Sequence, residues 1–281
     1  KTKKNKCRII HSCGFDSIPS DLGVLLLQKK SLEKYNKVCE DVNLYVRSIK
    51  GGLSGGTISS MIKITKYIKS HPEKRRILKS PFSLNPIDKI KNNVQEPVLK
   101  SIKWDSVLKK WTCPFIMSGI NTRIVRRTNA VTQFSYGENF KYNEVYSFNK
   151  GLNGFLKAFT MLMALVFLQF SLSSNLLLWI LRKITFPKPG EGPSKFKMEN
   201  GFFKLKIIGS INKIQKNSVT VIGDSDPGYS GTAKMLTESA LSILLSENKI
   251  PKNYGVLTPA SGIGLILIKR LKGKGISFKV D

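Results

Sequence analysis

Residues 158–181 contain no charged side chain, and this stretch limits what the rest of the chain can become. As helix, an uncharged run of this length can cross a hydrocarbon core of about 30 Å, so it must be buried in protein, laid on lipid or passed through it. Phe159, Leu162, Leu165, Val166, Phe167, Leu168 and Phe170 fill its first half, and Leu176 to Ile180 its second. Gln169, Ser171, Ser173, Ser174 and Asn175 interrupt it near the middle. Amides and hydroxyls are costly in hydrocarbon unless partnered, so the pattern predicts two short helices rather than one clean span. Lys157 bounds one end, and Arg182 and Lys183 the other. Positive charge on both flanks lets both stay on one side of a bilayer. The expectation is an apolar helical hairpin, residues 151–183, associated with a membrane or lipid surface. A helical pair buried in the protein or in a homodimer contact is the alternative.

The 281 residues are 41% hydrophobic, enough for one large or two modest domains with a real core. Lysines strewn along the chain give a formal net charge of +29, a field that attracts polyanions. No zinc finger, basic zipper or RNA-recognition motif turns that attraction into specific nucleic-acid binding, and an anionic lipid surface is the partner expected instead. Cys7, Cys13, Cys39 and Cys113 form no Cys-x-x-Cys pair, and His11 and His71 are the only histidines. That usage argues against a metal site or a disulfide framework and fits a reducing compartment. The first residue is Lys rather than Met, which reads as an internal cut.

Several loops carry candidate chemistry. Residues 13–23, Cys-Gly-Phe-Asp-Ser-Ile-Pro-Ser-Asp-Leu-Gly, join a short apolar run to a helix predicted to end near Lys29 and Lys30. Gly14 supplies the turn, Ser17 or Ser20 a cap and Pro19 the first helical turn, with Asp16 and Asp21 at the helix start. Gly51 to Gly56 leads from a strand containing Val42, Leu44 and Val46 into a helix that Thr57 can cap. Gly55, Gly56 and Thr57 there offer free amides to a phosphate or carboxylate of a substrate. Residues 71–127 read as loop with short helices, in which Trp104, Trp111 and Phe115 pin the chain to the core. Val131 to Phe148 reads as a hairpin, and residues 203–221 as another. Pro187, Pro189 and Pro193 mark a linker. Asp226 precedes Pro227 as a cap, and Ala233, Leu236, Ala240, Ile243 and Leu244 form one helical face beyond it. Asp224, Asp226, Tyr229 and Lys234 cluster there, with capping and solvated charge as the plain reading and proton transfer as the chemical one. A helix opening at Thr258 and a strand over residues 276–280 close the chain. The fold expected is α+β, with a mainly antiparallel or mixed sheet and helices on one face.

Residues 13–23, the Asp226-Pro-Gly-Tyr-Ser-Gly-Thr-Ala-Lys-Met-Leu236 block and Gly255-Val-Leu-Thr-Pro-Ala-Ser261 together resemble three ordered blocks of the saccharopine dehydrogenase-like oxidoreductases. The resemblance implies the substrate-side domain of a Rossmann-type, NAD- or NADP-dependent oxidoreductase whose Gly-rich nucleotide fingerprint is missing here. On it, residues 1–30 are the remnant of the nucleotide-binding domain, and residues 31–150 and 184–281 form the α+β substrate domain. Cys13, Gly14, Phe15 and Asp16 become the cofactor contacts, and Asp16, Asp226, Tyr229 and Lys234 the catalytic candidates. This chain alone is expected to bind little cofactor. Hydride transfer to a small-molecule or lipid precursor, at a lipid droplet, the cytosolic face of a membrane or in the mitochondrion, is the function implied. A non-catalytic lipid-associated protein of the same fold is the alternative.

Overall fold

The computed structural model describes residue 2 and residues 4–51, 55–89, 99–184, 192–212 and 215–281. In chain order these form β1 (Arg8–Ile10), α1 (Ile18–Tyr35), β2 (Asp41–Lys50), α2 (Gly55–Ser70), α3 (Arg75–Lys79), β3 (Lys103–Asp105) and β4 (Lys110–Pro114). Next come α4 (Ser118–Val131), β5 (Lys141–Phe148), α5 (Gly151–Ser173), α6 (Asn175–Ile184), α7 (Lys195–Glu199), β6 (Phe202–Ile211) and β7 (Gln215–Gly223). A π-turn over Pro227–Gly231 leads into α8 (Thr232–Leu245), followed by β8 (Gly255–Leu257), α9 (Pro259–Gly262), α10 (Leu265–Lys272) and β9 (Ile276–Val280). Seven strands make one mixed sheet in the order β3-β4-β5-β2-β6-β7-β9, in which β2 and β5 run parallel and the other neighbours antiparallel. The α+β expectation holds at that level. β1 and β8 stand apart as a two-stranded parallel sheet, with Arg8 opposite Gly255 and Ile10 opposite Leu257.

Alternation sets the packed face. Val42, Leu44 and Val46 of β2, Phe203, Leu205 and Ile207 of β6, and Val219 and Val221 of β7 point into one core with Leu22 and Leu27 of α1. Helix α1 comes so close to β6 that a Cβ on Gly23 would sit 2.2 Å from Ile207 Cδ1. On the opposite face of β6, Lys204 is exposed. Phe202–Ile211 and Gln215–Gly223 form the second predicted hairpin, in longer form.

The first predicted hairpin does not form. Residues 118–131 are helix α4, and a turn with positive φ at Gln133 and Phe134 follows before β5, which pairs with β2 and β4. The helix escapes a hydrophobic-period reading because most of what it buries is polar: Asn121, Thr122, Arg126, Thr128 and Asn129, beside Ile124, Val125 and Ala130. On α8 the predicted apolar face is mostly the wrong one: Ile243 packs against the core, but Leu236 and Leu244 are exposed, and Met235, Glu238, Ser239 and Ser242 are buried, with Glu238 accepting from Arg270 Nε at 2.7 Å. Helix α1 runs past Lys30 to Tyr35, where Asn36 closes it in the left-handed conformation. The predicted closing helix is two, α9 and α10, separated at Gly264 with φ +71°. Trp111 and Phe115 do pin the 71–127 stretch, Phe115 in the core and Trp111 edge-on to Phe155 at 5.2 Å. The linker prolines Pro187 and Pro189 lie outside the described residues.

Helices α5 and α6 meet at Ser174, whose extended backbone (φ −102°, ψ 122°) breaks the apolar run where its polar residues fall. Leu168 and Leu172 of α5 and Leu178 of α6 pack with Ile58 and Ile62 of α2 in a small second core. Among the described residues α5 is the one helix long and apolar enough to cross a membrane.

Candidate functional site

The loop after β1 folds against the start of α8. Phe15 donates its N–H to Thr232 Oγ1 at 3.0 Å, and the same hydroxyl donates to Pro227 O at 2.8 Å. A Cβ on Gly14 would lie 2.9 Å from Thr232 Cγ2, so only glycine lets the loop sit this close. Phe15 stacks edge-on to Phe203 at 4.9 Å. Asp226, fully buried, caps the π-turn by accepting Tyr229 N–H at 2.6 Å, as its place before Pro227 predicts. Replacing Thr232 by Val keeps shape but removes both hydrogen bonds, and an expected loss of about 1–2 kcal/mol is checked by denaturant unfolding.

The same opening segment reaches the third loop through Asp21, a side chain the sequence placed only as a helix-start charge. Asp21 is fully buried. Its carboxylate accepts from Thr128 Oγ1 on α4 and, at 2.8 Å, from Ala260 N–H at the head of α9. Thr258 Oγ1 lies 2.6 Å from Thr128 Oγ1 and forms a capping box with Ser261. Burial pushes the Asp21 carboxyl up to about 6, against the opposing pull of these hydrogen bonds.

A second buried carboxylate lies on the neighbouring strand. Glu144 of β5 accepts from Asn121 Nδ2 at 2.9 Å and Tyr142 OH at 2.7 Å. Ser17 Oγ donates to Asn121 Oδ1 at 3.2 Å rather than capping α1, and Ser20 lies inside the helix. Arg126 donates to Tyr142 O at 2.9 Å. Burial raises the Glu144 carboxyl and lowers the Arg126 guanidinium to about 10. Thus α4 brings its buried polar side to two carboxylates held away from water.

The remaining predicted residues fall in three places. Cys13 is half-buried, its thiol raised by burial, an environment that disfavours the reactive thiolate. Asp16 is exposed on the same loop. Lys234 pairs with Asp224 at 2.9 Å and donates to Ser225 Oγ at 3.2 Å, which ties it to the neck of the turn rather than to Asp226. Tyr229 is half-buried in the π-turn, its ring beside Gly192. Helix α2 starts at Gly55, so Thr57 sits inside its first turn instead of at the cap. Gly55 is buried, Gly56 exposed and Thr57 half-buried in that first turn, and residues 52–54 before them lie outside the described residues. The structure joins the first loop to the second through Thr232 and to the third through Asp21.

No family model matches the chain. Its relatives include the Mycobacterium tuberculosis protein named "Putative trans-acting enoyl reductase Rv2449c", 35% identical over 97% of this chain and 67% of that protein. Trans-acting enoyl reductases of Mycobacterium bovis, 31% identical over 96% of this chain and 66% of theirs, and of Mycobacterium ulcerans, 30% identical, also match. The chain spans about two-thirds of the length of these relatives. These names overturn the saccharopine dehydrogenase-like assignment. The blocks that suggested it are a glycine turn, an Asp-Pro cap and a Thr-Pro capping box, devices that start helices in many α/β proteins. With 35% identity to a protein of which it covers 67%, the chain belongs to the trans-acting enoyl reductase family.

Proposed function

We propose that this chain is the substrate-side part of an NAD- or NADP-dependent oxidoreductase that reduces the carbon–carbon double bond of an enoyl group on a lipid-class acyl substrate. The observation that carries the reading is the enoyl reductase name of relatives matched along 97% of the chain. In the proposal, residues 1–30 are the end of a Rossmann-type nucleotide domain and residues 31–150 and 184–281 the substrate domain. The separate β1–β8 sheet supports a neighbouring nucleotide domain, since a lone pair of parallel strands, each followed by a helix, is the form the edge of a larger parallel sheet takes. β8, from the 184–281 part, joins β1 in that edge, and α1 crosses residue 30 and packs in one core with β2, β6 and β7.

The first loop does not fit the diphosphate of such a cofactor. The Phe15 amide is used by Thr232, those of Ser17 and Ile18 bond back to Gly14 O, and Gly14 is packed rather than open. In the proposal this loop does not hold the diphosphate, and Cys13, Gly14 and Phe15 shape the loop beside the cofactor. Reduction adds a hydride and a proton across the double bond. Asp16, exposed on the first loop, and Tyr229, held by the Asp226 cap, are the groups proposed to face the substrate.

The test is oxidation of NADH or NADPH by the full-length protein with a long-chain enoyl thioester. Turnover is expected, with Asp16→Ala at least about tenfold slower and unchanged in melting temperature, because an exposed side chain contributes little to stability. No turnover with either nucleotide rejects the reading, and normal turnover of Asp16→Ala removes that residue from the site. A lipid-attached protein without redox chemistry is the second reading, favoured by the exposed apolar side of α5. Lipid binding without nucleotide oxidation would select it.

A further inference from the structure

Helix α5 leaves Leu152, Leu156, Phe159, Met163, Val166 and Phe170 between 43 and 74% exposed. Their spacing of three and four residues puts them in one line along the helix. Six such side chains in line form a contiguous apolar patch of the kind that marks a partner or lipid contact. Leu176 and Trp179 of α6 are exposed as well, as are Ile64 and Tyr67 of α2, the helix that packs against α5.

The start of α5 is tied to the α+β body, and its end to α2 and α6. Near its start, Gly154 lies so close to the preceding chain that a Cβ would sit 1.7 Å from Asn149 O, Ala158 is fully buried, and Phe155 packs on Trp111. Near its end, Ser171 and Leu172 are buried, and the Lys69 amine of α2 donates to Ser173 O. A helix anchored this way lies along a surface. To cross a bilayer it would have to carry α2, which holds its far end, through as well.

Charge selects the occupant. Helices α2, α5 and α6 contain no Asp or Glu, and they carry Lys63, Lys66, Lys69, Lys157 and Lys183. A second copy docked by two-fold symmetry would bring the same lysines to the contact from both sides, with no carboxylate on these helices to meet them. Anionic headgroups would neutralise them. Lys183 sits 4.1 Å over the Trp179 ring, an amphipathic pair suited to the boundary between acyl chains and headgroups.

We infer that α2, α5 and α6 form a monotopic docking surface for an anionic lipid leaflet, the α5 line entering the acyl region and the lysines meeting the headgroups. This inference goes beyond the redox reading and stands without it.

Flotation of the full chain with phosphatidylcholine vesicles, with and without phosphatidylserine, tests it. Wild type is expected to float with the anionic vesicles. Val166→Asp with Phe170→Asp should lower partition at least about tenfold without moving the thermal transition, since both positions are exposed. Leu152→Asp, at the most exposed position, repeats the test should the double variant unfold. Replacing Lys63 and Lys66 with Gln should lower partition at least about tenfold on anionic vesicles only. Four results overturn the inference: no flotation of wild type, flotation indifferent to these changes, a dimer in light scattering that Val166→Asp with Phe170→Asp dissolves while flotation persists, or protease protection of one flank of α5–α6 alone in sealed vesicles.

Discussion

Asp21→Ala is expected to cost about 3–5 kcal/mol and to unfold the protein well below the wild-type melting temperature. The carboxylate accepts from a hydroxyl 107 residues away and from an amide 239 residues away in sequence, so its loss loosens α1 from both α4 and α9. Removing it leaves the buried Ala260 N–H and the Thr128–Thr258 hydroxyl pair short of an acceptor. Hydrogen bonds to charged groups contribute about 1.5–3 kcal/mol each, and an orphaned buried donor costs about 1–3 kcal/mol. Chemical denaturation with circular dichroism measures the loss; a change below about 1 kcal/mol would show that the three segments are held together without Asp21.

The same residue sets a pH dependence of definite sign. Its folded carboxyl is raised to about 6 from an ordinary value of 3.8, so the folded state holds the proton more tightly than the unfolded one. This contribution is fully present below about pH 4 and is lost as pH rises through about 6, a change on the order of 3 kcal/mol. Glu144, also raised by burial, tilts stability the same way. Asp21→Asn retains the shape and cannot titrate. Its stability across pH 4 to 6.5 should therefore fall less than that of wild type, and parallel curves would remove Asp21 as the source.

What the sequence revealed and what it hid divide along physical lines. Strands with one apolar face, such as β2, β6 and β7, declare themselves because alternation is local. Asp226 was legible as a cap because Pro227 follows it and the partner, Tyr229 N–H, is three residues away. Helix α4 was not, because it buries Asn121, Arg126 and Thr128 against carboxylates from distant segments, and no periodicity of apolar residues marks such a face. The exposed line Leu236 and Leu244 misled the reading of α8 for the converse reason: it looks like a core face, while Glu238, paired with Arg270, occupies the core. Long-range polar pairing is the part of the candidate site that spacing cannot show.

Gly201→Ala should disturb the second loop more than its one added methyl suggests. A Cβ on Gly201 would stand 2.4 Å from Asp226 Cα and 2.5 Å from Asp226 N, and these are backbone atoms that cannot rotate aside. Gly51 presses from another direction, where a Cβ would meet Asp226 Oδ1 at 2.3 Å and Pro227 Cδ at 2.6 Å. The turn is also held from below, by Asp226 N–H donating to Met198 O at 3.0 Å and Gly231 N–H donating to Asp226 O at 2.7 Å. The methyl can be accommodated only by moving the cap, and with it Tyr229 and the Thr232 hydroxyl that secures Phe15. Overpacking of this kind costs about 1–3 kcal/mol, so a fall of roughly 2–3 kcal/mol in unfolding free energy is expected. If the 226–232 turn positions substrate, the full-length enzyme carrying Gly201→Ala loses kcat at temperatures where it remains folded, whereas Lys204→Ala, exposed on the adjacent strand, keeps it. Unchanged stability and unchanged kcat in Gly201→Ala would mean that the turn can shift without consequence and that the second loop does not hold the site.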